Sequence, residues 1–186
     1  MKKPEEWKRI RSKETADCRI FRIREDFCVS SENSKEASFF TIECADWVNI
    51  IPITKQGEVV LIEQYRHGSK EITLEIPGGM IDEDEEPIEC AKRELLEETG
   101  FQADKIIFLG RSRPNPAIQQ NWIYHFVAEG CKHTGETKFD EHESIVSKLV
   151  SLSKIPKLIE TEKINHSLVL AGLYRFETYR NLGKNL

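Results

Sequence analysis

Cysteine is sparse and unpatterned in this chain. Its five cysteines (Cys18, Cys28, Cys44, Cys90 and Cys131) are odd in number and scattered, with no CxxC pair. That excludes a disulfide framework or a zinc site and points to reduced thiols in a cytoplasm. Long apolar runs are also missing. None approaches the ~20 residues of a membrane span, so no membrane partner is expected. The opening MKKPEEWKRIRSKE has no apolar stretch of the kind a secretory signal needs. Positive charge is in deficit, with 27 Lys and Arg against 32 Asp and Glu, a net −5. A broad nucleic-acid or anionic-membrane surface is therefore not expected. Repeats, low-complexity tracts and linkers between large domains are absent as well.

What is present suits one well-cored domain: 186 residues, 39% hydrophobic and 32% charged. Residues 1–45 read as a small β-rich region, with strands expected around Arg19–Arg24 and Ser38–Ile42 and a polar turn between them. Val48–Ile53 and Glu58–Glu63 are apolar runs flanking the hairpin turn Thr54-Lys55-Gln56-Gly57. Further strands are expected at Glu71–Ile76, Lys105–Gly110, Trp122–Ala128 and Ile145–Leu152. A long polar loop is expected over Gly130–His142. Ile155–Glu160 and Asn165–Tyr179 read as helices, and Asn115 sits in a stiff loop between Pro114 and Pro116.

One stretch organises the rest: IPGGMIDEDEEPIECAKRELLEETGF, Ile76 to Phe101. Gly78 and Gly79 let the backbone approach a metal or a phosphate closely. Five residues separate Gly79 from Glu85, and seven more lead to Arg93-Glu94-Leu95-Leu96-Glu97-Glu98-Thr99-Gly100-Phe101. Pro87 suits a first helical turn and Gly100 a C-cap, so a helix is expected between them. Ile88, Ala91 and Leu95 fall on one side of it. Glu94, Glu97 and Glu98, at i, i+3 and i+4, share a face. Such carboxylates either form a solvated acidic face or bind a hard divalent cation.

The stretch resembles the Nudix box: Gly, five residues, Glu, seven residues, then Arg-Glu-aliphatic-any-Glu-Glu-any-Gly-hydrophobic. Every position matches, with Phe101 a slightly bulky final hydrophobe. The resemblance implies an α/β fold, an α/β/α sandwich with a mixed sheet, and metal-dependent cleavage of a nucleoside diphosphate linked to another group. It implies Glu94, Glu97, Glu98 and the Gly78 carbonyl as metal ligands, Mg²⁺ or Mn²⁺ as the ion, and a structural pairing of Glu85 with Arg93.

Three flanking features are similar to the branch that hydrolyses ADP-ribose and nucleoside diphosphate sugars: Glu63-Gln64-Tyr65-Arg66, Leu74-Glu75-Ile76-Pro77-Gly78-Gly79, and Asp140-Glu141-His142-Glu143-Ser144-Ile145. Many relatives have alanine where this chain has Gly78. The same likeness implies an N-terminal antiparallel sheet (1–45) that packs across a homodimer beside a hydrolase domain (46–186). ADP-ribose is the first expected substrate, with GDP-mannose and other hexose nucleotides next. The alternatives are a hydrolase of another nucleotide or a non-catalytic sensor of a sugar nucleotide.

Substrate-binding candidates are Arg66, Trp47, Trp7, Gly79 and Asn115. Arg66 reads either as a bidentate phosphate ligand or as half of a surface salt bridge. Trp47 and Trp7 read as base-stacking or packing residues, and Asn115 as pocket lining or a plain turn. Glu75 reads as support for the site or as a surface pair. A proton acceptor is also needed, since metal-bound carboxylates such as Glu98 are poor bases. The branch implies Glu141, with Glu143 as its neighbour and substitute; without it, they read as a solvated acidic turn. His67, His125, His133, His142 and His166 have no ligand spacing and read as structural or surface residues.

Overall fold

The computed structural model describes residues 3–135, 137–138 and 144–183. The chain divides into two compact units, Met1–Ala45 with Arg113–Asn121, and Asp46–Ser112 with Trp122–Leu186.

The first unit is a three-stranded antiparallel sheet in the order β1 (Trp7–Asp17), β2 (Phe21–Ser30), β3 (Glu36–Cys44). Side-chain bonds to the backbone shape its turns. Asp17 accepts from the Arg19 N–H at 2.8 Å, and the Ser30 hydroxyl accepts from the N–H groups of Glu32 and Asn33 at 3.2 Å. The buried Asp26 accepts from Ser12 at 2.5 Å and from Nε and Nη2 of Arg24 at 2.8 and 3.0 Å. Burial pushes its pKa up, but these donors outweigh it and hold the carboxyl below its ordinary value. Residues 113–121 join this unit through the Ile42 N–H, which donates to the Ile118 carbonyl at 2.7 Å.

The second unit is built on a mixed sheet of seven strands among the described residues. These are β4 (Trp47–Thr54), β5 (Glu58–Arg66), β6 (Glu71–Glu75), β7 (Phe101–Gln102), β8 (Lys105–Ser112), β9 (Ile123–His133) and β10 (Ile145–Ser151). The main path runs β10-β5-β4-β9-β7, with β6 on β5 and β8 on β9. The β4–β9 pairing is parallel; the others are antiparallel. Helices α1 (Pro87–Thr99), α2 (Ile155–Glu160) and α3 (Ser167–Asn181) complete the unit.

Alternation along the central strands feeds two cores, one on each face. Val48 and Ile50 of β4 pack with Ala91 and Leu95 of α1, joined by Phe126 and Ala128 of β9. Ile51 and Ile53 point the other way and pack with Ile155, Val169, Leu173 and Phe176 from the α2–α3 layer. Each fully buried aliphatic side chain contributes about 1.5–3 kcal/mol. The sheet is therefore held between helical layers, as the resemblance implied.

Several strands run further than the sequence suggests, β2 to Ser30 and β5 to Arg66, and β9 enters a stretch that reads as loop. The polar loop expected from Gly130 is still β9 as far as His133. A register shift lets Thr54 pair with Cys131, which is buried, and Phe101 and Gln102 pair with His133 and Lys132. The irregularity absorbs a glycine that reads as a strand end.

Candidate active site

The site lies in the second unit, where the loop after β6 runs alongside the start of β4. The Ile50 and Val48 N–H groups donate to the carbonyls of Pro77 and Gly79, each at 2.9 Å, and Trp47 bridges to Met80. The Gly78 N–H points away from this ladder and donates to Glu98 Oε2 at 2.9 Å.

Both glycines sit where a side chain would meet a neighbour, backbone at Gly78 and a side-chain end at Gly79. A Cβ at Gly78 would overlap the Val48 carbonyl oxygen and lie 2.8 Å from Asn49 Oδ1. A Cβ at Gly79 would overlap the Glu94 carboxylate. Loop and helix therefore approach as closely as glycine alone permits.

On α1, Pro87 occupies the first turn, and Gly100 closes the helix in the left-handed conformation (φ 71°), its N–H donating to the Leu96 carbonyl at 2.7 Å. Glu98 is buried, with 4% of its surface exposed; Glu94 and Glu97 are half-buried. Arg93 organises the acidic face. Its Nε and Nη2 each donate to Glu85 at 2.9 Å, Nη2 also donates to the Met80 carbonyl at 3.2 Å, and Nη1 donates to Glu94 at 2.8 Å and Glu97 at 3.2 Å. The Arg93 bonds, with the Asp82 N–H, hold the Glu85 carboxyl down at about pKa 2.

Arg66, at the end of β5, forms a bidentate pair with Glu75, Nε to Oε1 and Nη2 to Oε2, both at 2.8 Å. Glu75 is only 2% exposed. It also accepts from Thr73 Oγ1 at 2.6 Å and lies 2.8 Å from His166 Nδ1. Burial pushes its pKa up, but bonds from Arg66 and His166, the Arg66 charge and Thr73 hold it far below the ordinary carboxylate range. Glu75 is thus an ionised anchor inside the site.

A cleft of about 330 Å³ opens here, lined by Trp47, Val48, Asn49, Arg66, Glu75, Ile76, Gly78, Gly79, Met80, Ile123, His166 and Leu168. The structure thereby brings together Arg66, Trp47, Gly78 and Gly79, with Glu94 and Glu98 against the two glycines. Trp7 and Asn115 belong to the first unit. Trp7 packs edge-on against Phe39, with ring centroids 5.2 Å apart. The Asn115 carbonyl accepts from the N–H groups of Ile118 and Gln119 at 3.1 and 2.7 Å, a turn. Glu141 and Glu143 lie outside the described residues. Sequence reasoning gave no site role to His166, Asn49, Thr73 or Met80. His166 reaches Glu75 across 91 positions, and no local pattern marks that meeting.

The donor set suits a hard divalent cation: carboxylate oxygens from Glu94, Glu97 and Glu98 beside a backbone turn with no side chains in the way. In the present rotamers Glu94 and Glu97 face Arg93, and Glu98 faces the Gly78 amide. Among the described residues, no three His, Cys, Asp or Glu side chains converge on one point.

The chain matches the NUDIX domain over residues 46–171 and belongs to that family. Nudix hydrolases generally need a divalent metal ion. The chain is similar to the ADP-ribose pyrophosphatase of Bacillus subtilis strain 168, with 28% identity over 137 residues, 73% of this chain and 74% of that protein. It is also similar to the methanol dehydrogenase activator of Bacillus methanolicus, with 27% identity over 163 residues, 87% and 88% of the two chains. The fold is that of a solved structure described as an ADP compounds hydrolase: TM-score 0.85, 24% identity, covering 98% of this chain and 99% of that one. Among the described residues, no helix is long and apolar enough to cross a membrane.

Proposed function

We propose that this chain hydrolyses the pyrophosphate bond of a nucleoside diphosphate sugar, ADP-ribose first, to a nucleoside monophosphate and a sugar phosphate. The supporting observation is one cleft that holds an anchored arginine and, against its glycine turn, a helix carrying three carboxylates. The relative named for ADP-ribose supports the choice of substrate.

Arg66 grips the diphosphate, because a guanidinium matches two phosphate oxygens at once and Glu75 fixes its plane. Trp47 offers a flat face to the base. Glu94, Glu97, Glu98 and the Gly78 carbonyl would hold Mg²⁺, with Mn²⁺ as a substitute. When bound, the metal neutralises the phosphates and acidifies a water. Glu141, or Glu143 beside it, takes the water's proton. Arg93 and Glu85 hold the loop on the helix and stay out of the chemistry.

The test is a hydrolysis panel of ADP-ribose, GDP-mannose, UDP-glucose, a nucleoside triphosphate and a diadenosine polyphosphate, with Mg²⁺ or with EDTA, products identified by mass. Mg²⁺-dependent release of a nucleoside monophosphate and a sugar phosphate is expected. Inorganic pyrophosphate from the triphosphate alone would move the substrate elsewhere, and tight binding without cleavage would make the chain a sensor. Glu98→Gln is expected to lower kcat at least about 100-fold, as loss of an electrostatic element of a site does. Near-normal Mg²⁺-dependent turnover in that variant would remove the carboxylate from the metal site.

A further inference from the structure

Glu75 has four lone-pair directions, and all four are engaged. Oε1 meets Arg66 Nε and Thr73 Oγ1, while Oε2 meets Arg66 Nη2 and His166 Nδ1. The carboxyl is ionised, so the facing His166 nitrogen carries the proton and donates. This fixes the ring at the cleft wall, with Nδ1 committed to Glu75.

His166 has a second peculiarity. It is the N-cap of α3, with extended backbone (φ −68°, ψ 119°), and its carbonyl accepts from the Leu170 N–H at 3.0 Å. Its side chain makes no capping bond. Histidine is not a favoured capping residue, whereas its neighbours Asn165 and Ser167 are of favoured types. The helix start therefore forgoes a good cap, and the side chain at that position turns to Glu75 instead. Local rules tend to be broken in this way where function needs the residue.

We propose that His166 is a positioning residue for diphosphate binding. Through Glu75 it holds the Arg66 guanidinium in one plane, and it makes that plane depend on the docking of α3 beside the cleft. Thr73 braces Oε1 from β6, so without His166 the other oxygen, Oε2, keeps only its bond from Arg66 and the plane shared by carboxylate and guanidinium is held on one side alone. This inference rests on the assignment of Arg66 to the diphosphate.

The test uses the full chain and two variants, His166→Ser and His166→Asn. Serine is a better N-cap but too short to reach Glu75; asparagine places an amide nitrogen near the Nδ1 position. ADP affinity is measured by calorimetry, ADP-ribose kinetics by product release, and stability by thermal melting. For His166→Ser, the ADP Kd and the KM are expected to rise about tenfold, the scale of one hydrogen bond to a charged group. Its kcat should stay within about threefold of the parent and its melting temperature unchanged or raised, since the cap improves. His166→Asn should recover most of the affinity. An unchanged Kd in His166→Ser, or a loss of stability and affinity together that asparagine does not rescue, would overturn the proposal, as would parent protein that fails to bind ADP. Parent protein that binds ADP yet cleaves no sugar nucleotide would refute only the proposed substrate, and the Kd comparison would still decide the role of His166.

Discussion

At the scale of single residues, Gly78 and Gly79 are adjacent but fail differently when given a side chain. A Cβ at position 78 meets the backbone carbonyl of Val48, in a strand that is buried from Val48 to Thr54 and cannot readily yield. A Cβ at position 79 meets the end of the Glu94 side chain, which can rotate away. Gly78→Ala is therefore expected to cost about 1–3 kcal/mol of stability, the usual range for overpacking. Gly79→Ala should cost under about 1 kcal/mol but lower Mg²⁺-dependent turnover, because Glu94 is displaced. Denaturant melts and kcat measurements on both variants check this. Equal stability losses would mean that the Glu94 carboxylate is not the group that yields. Much of this site can be read in the chain, because Gly79, Glu85, Arg93 and the three glutamates follow fixed local spacing. His166, Thr73 and Asn49 cannot, because their partners are set by tertiary folding: Asn49 Nδ2, for example, donates to the Leu168 carbonyl 119 positions away, at 3.0 Å.

At the scale of elements, α1 and its preceding loop form a single piece closed by Arg93 and Glu85. The Glu85 carboxyl sits at about 2 in the fold, against an ordinary 4.5. A depressed carboxyl pKa contributes stability above the unfolded value, and that contribution is lost as pH falls from about 4.5 towards 2. Glu85→Gln should therefore be less stable than the parent at pH 7 and show a shallower fall in stability across that acid window. Urea melts at several pH values decide it, and parallel curves for the two proteins would mean that Glu85 is not the titrating group. The legibility of elements followed the same physics. Helix α1 shows itself through Pro87, Gly100 and the buried Ala91 and Leu95, although Ile88, on the expected apolar side, is exposed. Strand β1 gave no such sign, because its residues are almost all exposed and WKRIRSKETAD has no alternation to read. The end of β9 was hidden by Gly130, a residue that elsewhere closes strands.

At the scale of the whole molecule, the first unit poses a problem of its own. A three-stranded sheet is small for independent stability, and this one leaves Trp7, Ile10, Ile20, Phe39 and Phe40 exposed on a single chain. Phe39 and Phe40 are neighbours on β3 and point to opposite faces, so apolar side chains are exposed on both sides of the sheet, and exposed apolar area of this kind can mark a surface that another protein covers. A second copy of this chain is the simplest cover, because a two-fold interface uses the same patch on both partners. We therefore expect a homodimer formed through residues 1–45. Sedimentation at micromolar concentration should find the parent protein as a dimer, and Ile10→Lys with Phe40→Lys should shift it to monomer, since two buried like charges per partner outweigh the lost apolar contact. Circular dichroism of the doubly substituted chain separates loss of the interface from loss of the fold. The idea fails if the parent sediments as a monomer, or if the two lysines leave a dimer intact; in the second case the interface lies elsewhere and the exposed patch awaits a different partner.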